Sequence, residues 1–274
     1  MKNTFVYRAE KPIIKLLQIT DPHLFKDEKS ELLGVNTQSS FSQVLTEIKQ
    51  ENSEFDVILA TGDLVQDSSD EGYQRFVEMI KPFALPVFWI PGNHDFQPKM
   101  VENLNQPPME KAKHILLGDH WQILLLDSQV YGVPHGELSR YQLDLLKTTL
   151  EAYPQRHTLI VFHHHVLPTN SAWLDQHNLR NSHELLDVLA PFKNVKAILY
   201  GHIHQQVDSQ WQGYQVMATP STCIQFKADS QHFALDDVQP GWREIELHPD
   251  GLIVTEVKRI KQAKFLPNMQ EEGY

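Results

Sequence analysis

Five short apolar runs along the chain each stop at a polar word, and amphipathic segments of helical period separate the early ones. Residues 12–20 (PIIKLLQIT), 55–60 (FDVILA), 85–90 (LPVFWI), 158–162 (TLIVF) and 195–200 (VKAILY) have the length of buried strands. They end at Asp21-Pro22-His23, Thr61-Gly62-Asp63, Pro91-Gly92-Asn93-His94-Asp95, His163-His164-His165 and Gly201-His202-Ile203-His204. Residues 37–50 set Phe41, Val44, Leu45 and Ile48 on one helical face. Residues 71–80 do the same with Phe76, Val77 and Ile80, with Ser69 and Asp70 as caps and Pro82 as the stop. Residues 143–150 read as an amphipathic helix capped by Ser139, and Ser182 caps another over 183–189.

Residues 112–128 read as two strands joined at Gly118-Asp119, a hairpin. Beyond 206 the chain alternates apolar and polar residues and turns at Pro249-Asp250-Gly251, a second antiparallel portion. Residues 26–34 and 166–181 read as loops, and the second is long enough to border a site. There is no fixed repeat and no linker-like stretch, so 1–274 is expected to be a single domain, with its core at about 13–260 and a peripheral tail at 262–274. Strand and helix alternate early and strands accumulate later. That order predicts an α/β (α+β) fold of two mixed sheets packed face to face, flanked by helices.

Composition narrows the picture. Of 274 residues, 41% are hydrophobic and 22% charged, the proportions of a folded protein. A formal charge of -11 argues against nucleic acid or an anionic membrane as partner. A lone cysteine, Cys223, excludes an intrachain disulfide framework, and the start lacks the apolar stretch of a signal peptide. No run approaches the ~20 apolar residues of a membrane span. A cytoplasmic protein is expected; its oligomeric state is left open.

The chemistry sits at the strand ends. Seven of the fifteen histidines fall in four of the words: His23, His94, His163, His164, His165, His202 and His204. Singly, each has an ordinary role: Asp21 can cap a turn, His23 can be a hydrogen-bonded histidine, and Asn93 can shape a tight turn. Five such words beyond successive strands are a different matter, because the carboxyl ends of strands in α/β sheets are where ligands gather. In an extended backbone i and i+2 point the same way, so His202 and His204 are expected to aim at one point past a turn too tight for a side chain at Gly201. Counting Asp21, His23, Asp63, Asn93, one of His163 to His165, His202 and His204 gives too many donors for one ion. They suit two ions about 3.5–4 Å apart that share a carboxylate. Imidazole with carboxylate favours Fe, Mn, Zn or Co over Mg or Ca, and the missing thiolates argue against a structural zinc. Two divalent ions against two carboxylates make a local positive site fit for a phosphate, with a bridging water as nucleophile.

The words D-x-H, G-D, G-N-H-D, H and G-H-x-H, in that order over residues 21–204, resemble the calcineurin-like metallophosphoesterases. TGDLVQDSSDEGY, HHHVLPTNSAWLDQHNLRN, GHIHQ and TPSTCIQF are similar to that family's bacterial class III 3',5'-cyclic AMP phosphodiesterase branch. The resemblance implies a four-layer α/β/β/α sandwich around a dinuclear centre. It implies Asp21, His23, Asp63 and His204 on one ion and Asp63, Asn93, His163 and His202 on the other. Asp63 is then the bridge, and His202 and His204 serve different ions. His163 is taken from its run because the family's ligand is the first histidine after the strand. His94 is implied as the catalytic residue that reaches the phosphate and protonates the leaving oxygen. His23, Asn93, His164 and His204 join it as substrate-binding residues, His164 either on the phosphate or behind the ligands, and His165 is structural. The family often carries an acidic partner after Gly-Asp, where this chain has Gln66 followed by Asp67. Whether Asp67 or Asp95 orients His94 stays open. The implied reaction is hydrolysis of 3',5'-cyclic AMP to 5'-AMP by in-line attack of a hydroxide bridging two divalent ions, Fe or Mn foremost and Zn or Co as alternatives. Other readings are a phosphoesterase acting on a 2',3'-cyclic nucleotide, a sugar nucleotide or a phosphoprotein, and a non-catalytic nucleotide-binding regulator.

Overall fold

All five apolar runs become strands, shared between two sheets. The structure, a computed structural model, describes residues 4–262, 264–271 and 273. One sheet has six strands in the order Ile253–Arg259, Gly241–Leu247, Ile14–Ile19, Val57–Ala60, Val87–Trp89, Met109–Glu110. The other has seven, in the order Thr4–Tyr7, His114–Leu117, Trp121–Leu125, His157–Val161, Val195–Tyr200, Tyr214–Ala218, Val207–Trp211.

Side-chain alternation along the strands divides the core. Ile14 and Leu16 pack in a cluster with Leu59, Ile123, Leu159 and Leu199, drawn from both sheets. Leu17 and Ile19, facing the other way, pack with Phe41, Val44 and Ile48 of the helix Thr37–Gln50. The same split separates Leu199 from Ile198. Four layers result: helices, sheet, sheet, helices. Ile14–Ile19, Val57–Ala60 and Val87–Trp89 pair in parallel, with the helices Thr37–Gln50 and Asp70–Ile80 between them in sequence. Trp121–Leu125, His157–Val161 and Val195–Tyr200 also pair in parallel, with Arg140–Ala152 and Ser182–Leu189 between them. Among the described residues no helix is long and apolar enough to cross a membrane.

Several local expectations change. The polar-looking start forms an edge strand, Thr4–Tyr7, parallel to His114–Leu117. A short helix, Gln97–Asn103, buries one side chain, Met100, and so leaves little periodic signal. Ser69 does cap its helix, with Oγ accepting from Gly72 N–H, but Pro82 sits inside a 3-10 turn, Lys81–Phe83, where its missing N–H costs nothing. Ser182 lies inside its helix; Asn181 holds the cap position, and its amide instead bridges both backbone groups of Leu138. In the later portion Tyr214–Ala218 runs parallel to Val195–Tyr200 and antiparallel only to Val207–Trp211. The tail is anchored at Phe265, 7% exposed against the main core, and Asn268 N–H donates to Leu33 O. Phe265→Ala is expected to destabilise the fold by about 3 kcal/mol, as for other buried phenylalanines, read as a lower urea midpoint.

Candidate metal centre

The words at the strand ends converge because their backbones leave the extended conformation. Asp21, His23, Asp63, His202 and His204 all have positive φ, between 47° and 68°. Such values are uncommon for residues other than glycine, and strained backbone of this kind clusters at functional sites. The extended geometry expected for His202-Ile203-His204 is therefore not what aligns those two rings. The strand ends at Tyr200, and two left-handed residues turn the imidazoles inward. The chain at 21–24 runs beside 62–64, with Asp21 N–H to Gly62 O, His23 N–H to Asp63 O and Leu24 N–H to Leu64 O. At Gly201 the constraint is space: an added Cβ would stand 2.1 Å from Thr20 Oγ1 and 2.6 Å from Asp21 Oδ2. Gly201→Ala is expected to cost roughly 1–3 kcal/mol through this overpacking, measured by urea unfolding, and to lower metal occupancy by displacing Asp21.

The imidazoles are oriented from outside. His23 Nδ1 meets Gln66 Oε1 at 2.5 Å, and His163 Nδ1 meets Thr61 O at 2.8 Å. His202 Nε2 meets His177 O at 3.1 Å, and His204 Nδ1 meets Ile224 O at 2.9 Å. Each oxygen can take an N–H, which turns the opposite ring nitrogen inward. This is how metal-binding histidines are fixed. These inner nitrogens crowd together: His23 Nε2 lies 3.1 Å from His204 Nε2, and His163 Nε2 lies 3.2 Å from Asp63 Oδ2. Asp21 Oδ1, buried and without a hydrogen-bond partner, lies 3.3 Å from His204 Nε2 and 3.9 Å from the Nε2 atoms of His23 and His163. A buried carboxylate oxygen without a hydrogen-bond partner is costly unless a cation reaches it. The donor set therefore fits divalent metal ions.

Among the described residues, three groups have ligand atoms within 4.8 Å of one another: Asp21, His23 and His204; Asp63, His163 and His202; and His23, Asp63 and His94. His202 and His204 thus fall in different groups. Asn93 Oδ1 is enclosed without a partner.

Charge follows the same arrangement. Burial pulls His23 down to about 3 and takes His202 and His164 well below the usual histidine range, so these rings are neutral. Burial would raise Asp21 and Asp63, but His204 holds the first down and His163 with His94 holds the second down, so both are carboxylates. Burial opposes charge on His163, yet Asp63 outweighs it and lifts the ring to about 9.

Asp95 accepts from the N–H groups of Gly92, Leu64 and Val65 and from Tyr73 OH, tying the 63–65 and 92–95 turns together. Asp67 accepts from Lys26 N–H and from Ser69. The carboxylate that seats His94 is Asp63, whose Oδ1 accepts the His94 N–H at 2.8 Å. Gln66 fills the position after Gly-Asp by holding His23.

His164 is fully buried, as are His23 and His204; Ser128 Oγ meets its Nδ1 at 2.8 Å, and Gly136 packs against its ring. His165, also buried, stacks on His202 at 5.6 Å. His177, inside the stretch 163–181 but with no role read for it from the sequence, contributes its carbonyl to His202 and lines a cavity of about 440 Å³ with Asn93, His94 and Trp173.

Comparison with known proteins adds ancestry to this geometry. A family model for calcineurin-like phosphoesterases matches residues 14–206. The chain is 81% identical over its whole length to the whole of the 3',5'-cyclic adenosine monophosphate phosphodiesterase of Haemophilus influenzae. It is 53% identical to the enzyme of the same name from Escherichia coli, over 95% of each chain. A dimetal phosphatase from Danio rerio superposes with a TM-score of 0.62 at 15% identity, over 92% of this chain and all of that one. A purple acid phosphatase from yellow lupin superposes with a TM-score of 0.64 at 11% identity, over 95% of this chain and 54% of the other. These two share the fold.

Proposed function

Because the chain belongs to the calcineurin-like phosphoesterase family, we propose that its strand-end centre hydrolyses 3',5'-cyclic AMP to 5'-AMP. The observation that carries this is the set of four imidazoles, each pinned by an outer oxygen, around two carboxylates beside an open cavity. Asp21, His23, Asp63 and His204 would hold one divalent ion, and Asp63, Asn93, His163 and His202 the other. When bound, such ions neutralise phosphoryl charge and lower the pKa of water to make a nucleophile at neutral pH. Mixed imidazole and carboxylate donors favour Fe or Mn, with Zn or Co as alternatives.

The protein's own groups do the rest. Asn93 turns its enclosed Oδ1 inward and leaves its amide NH₂ for a phosphoryl oxygen. His94, half-buried at the cavity and seated by Asp63, contacts the phosphate and delivers a proton to O3' as the P–O3' bond breaks. An alkoxide is a poor leaving group, so this proton matters. His23 and His204 would meet the substrate only by way of a bound ion, and His164 packs against the His163 and His202 rings, at 5.1 and 4.8 Å between centroids. With no membrane-length helix described and an anionic small-molecule substrate, the cytoplasm is the compartment in this reading.

The test is product analysis with metal-loaded protein on a panel of 3',5'-cyclic AMP, 2',3'-cyclic AMP, a sugar nucleotide and a phosphopeptide. 5'-AMP from the first substrate, formed faster than any other product, is expected. Faster turnover of another ester would overturn the substrate, and unchanged nucleotide after long incubation would point to a binding regulator.

A further inference from the structure

Aromatic rings that no step of hydrolysis uses wall the cavity on one side. Trp173, Phe226 and Phe233 line it together with Asn93, His94 and His202. Trp173 stands perpendicular to Phe226, 5.1 Å between centroids, and 5.0 Å from Phe233. Phe226 in turn lies nearly flat on the His204 imidazole, 4.3 Å away and 14° from parallel. The wall thus begins at a residue of the metal centre.

Two segments distant in sequence are stitched to build it. Ala172 N–H donates to Ser230 O, Ser171 Oγ donates to Lys227 O, and Ser230 N–H donates to Ser171 Oγ. The second segment is itself closed by pairing of Gln225–Phe226 with Leu235–Asp236. The rings are therefore fixed before a ligand arrives, which lowers the cost of binding.

Phosphate and metal ask for polar groups, so an aromatic wall in the same cavity calls for a flat apolar partner. Trp173 is partly exposed where it lines the cavity, as is Phe233, while Phe226 is buried behind them. A purine has a π-face to set against such rings. We propose that Trp173 and Phe233, backed by the buried Phe226, receive the adenine base of the cyclic nucleotide. This rests on the phosphodiesterase reading for the identity of the substrate.

Calorimetric titration of the metal-loaded protein with 5'-AMP and with ribose 5-phosphate separates the base from the phosphate. Base stacking worth ~1–3 kcal/mol corresponds to a preference for 5'-AMP of roughly five- to 150-fold. The wild type is expected to show that ratio, Trp173→Ala to collapse it towards one, and Trp173→Phe, which keeps a smaller ring, to fall between. Should Trp173→Ala fail to fold, Phe233→Ala reads the same ratio. A wild-type ratio near one, or a ratio that survives both alanine variants, overturns the wall. Failure of the wild type to hydrolyse 3',5'-cyclic AMP would sink the phosphodiesterase reading, while the 5'-AMP ratio would still decide for or against the wall.

Discussion

Asp63→Asn is expected to lower kcat/KM for 3',5'-cyclic AMP by about a thousand-fold or more and to empty both metal positions together. Asp63 Oδ2 lies 3.2 Å from His163 Nε2 and 3.9 Å from His23 Nε2, so one carboxylate belongs to both clusters. The two-metal contribution to phosphoryl transfer is several kcal/mol, and each 1.36 kcal/mol is a factor of ten. Asparagine keeps the shape and, through its Oδ1, the acceptor that seats the His94 N–H, while it removes the charge and replaces the second oxygen by an NH₂ that cannot ligate. The check is metal per chain by mass spectrometry beside steady-state kinetics. Full retention of one ion would show that the carboxylate is not shared.

His94→Ala should leave both ions in place and reduce kcat by roughly 10²–10⁴, the range of general acid catalysis. Its ring stands edge-on to His23 at 5.2 Å between centroids and opens onto the cavity. An ester whose leaving group is p-nitrophenolate needs no proton to depart, so its turnover should fall far less than that of the cyclic nucleotide. Metal loss in this variant would reassign His94 as a ligand, an arrangement its grouping with His23 and Asp63 makes concrete enough to test.

The strand ends were legible because an apolar run that stops at a polar word marks both a buried strand and the place where its side chains emerge. The four-layer arrangement followed from the order of those runs. What escaped has no side-chain signature. The oxygens that orient His163, His202 and His204 are backbone carbonyls of Thr61, His177 and Ile224, and a carbonyl looks the same at every residue. The left-handed turns at His202 and His204 escaped too, because spacing of i and i+2 is silent about backbone dihedrals. The sequence leaves open whether Asp67 or Asp95 orients His94, and the oxygens of Asp95 fasten two turns whose meeting depends on tertiary structure. Thr4–Tyr7 was passed over because a half-buried edge strand carries too few apolar positions to stand out.

Asp21, His23 and His163 are wholly closed off from solvent, whereas Asn93, His94 and His202 border the cavity. Metal ions held by these residues would face solvent across the same cavity in which the proposed nucleotide would sit. A nucleotide bound there is then expected to slow the stripping of metal by a chelator, so that the substrate would also guard the site that serves it.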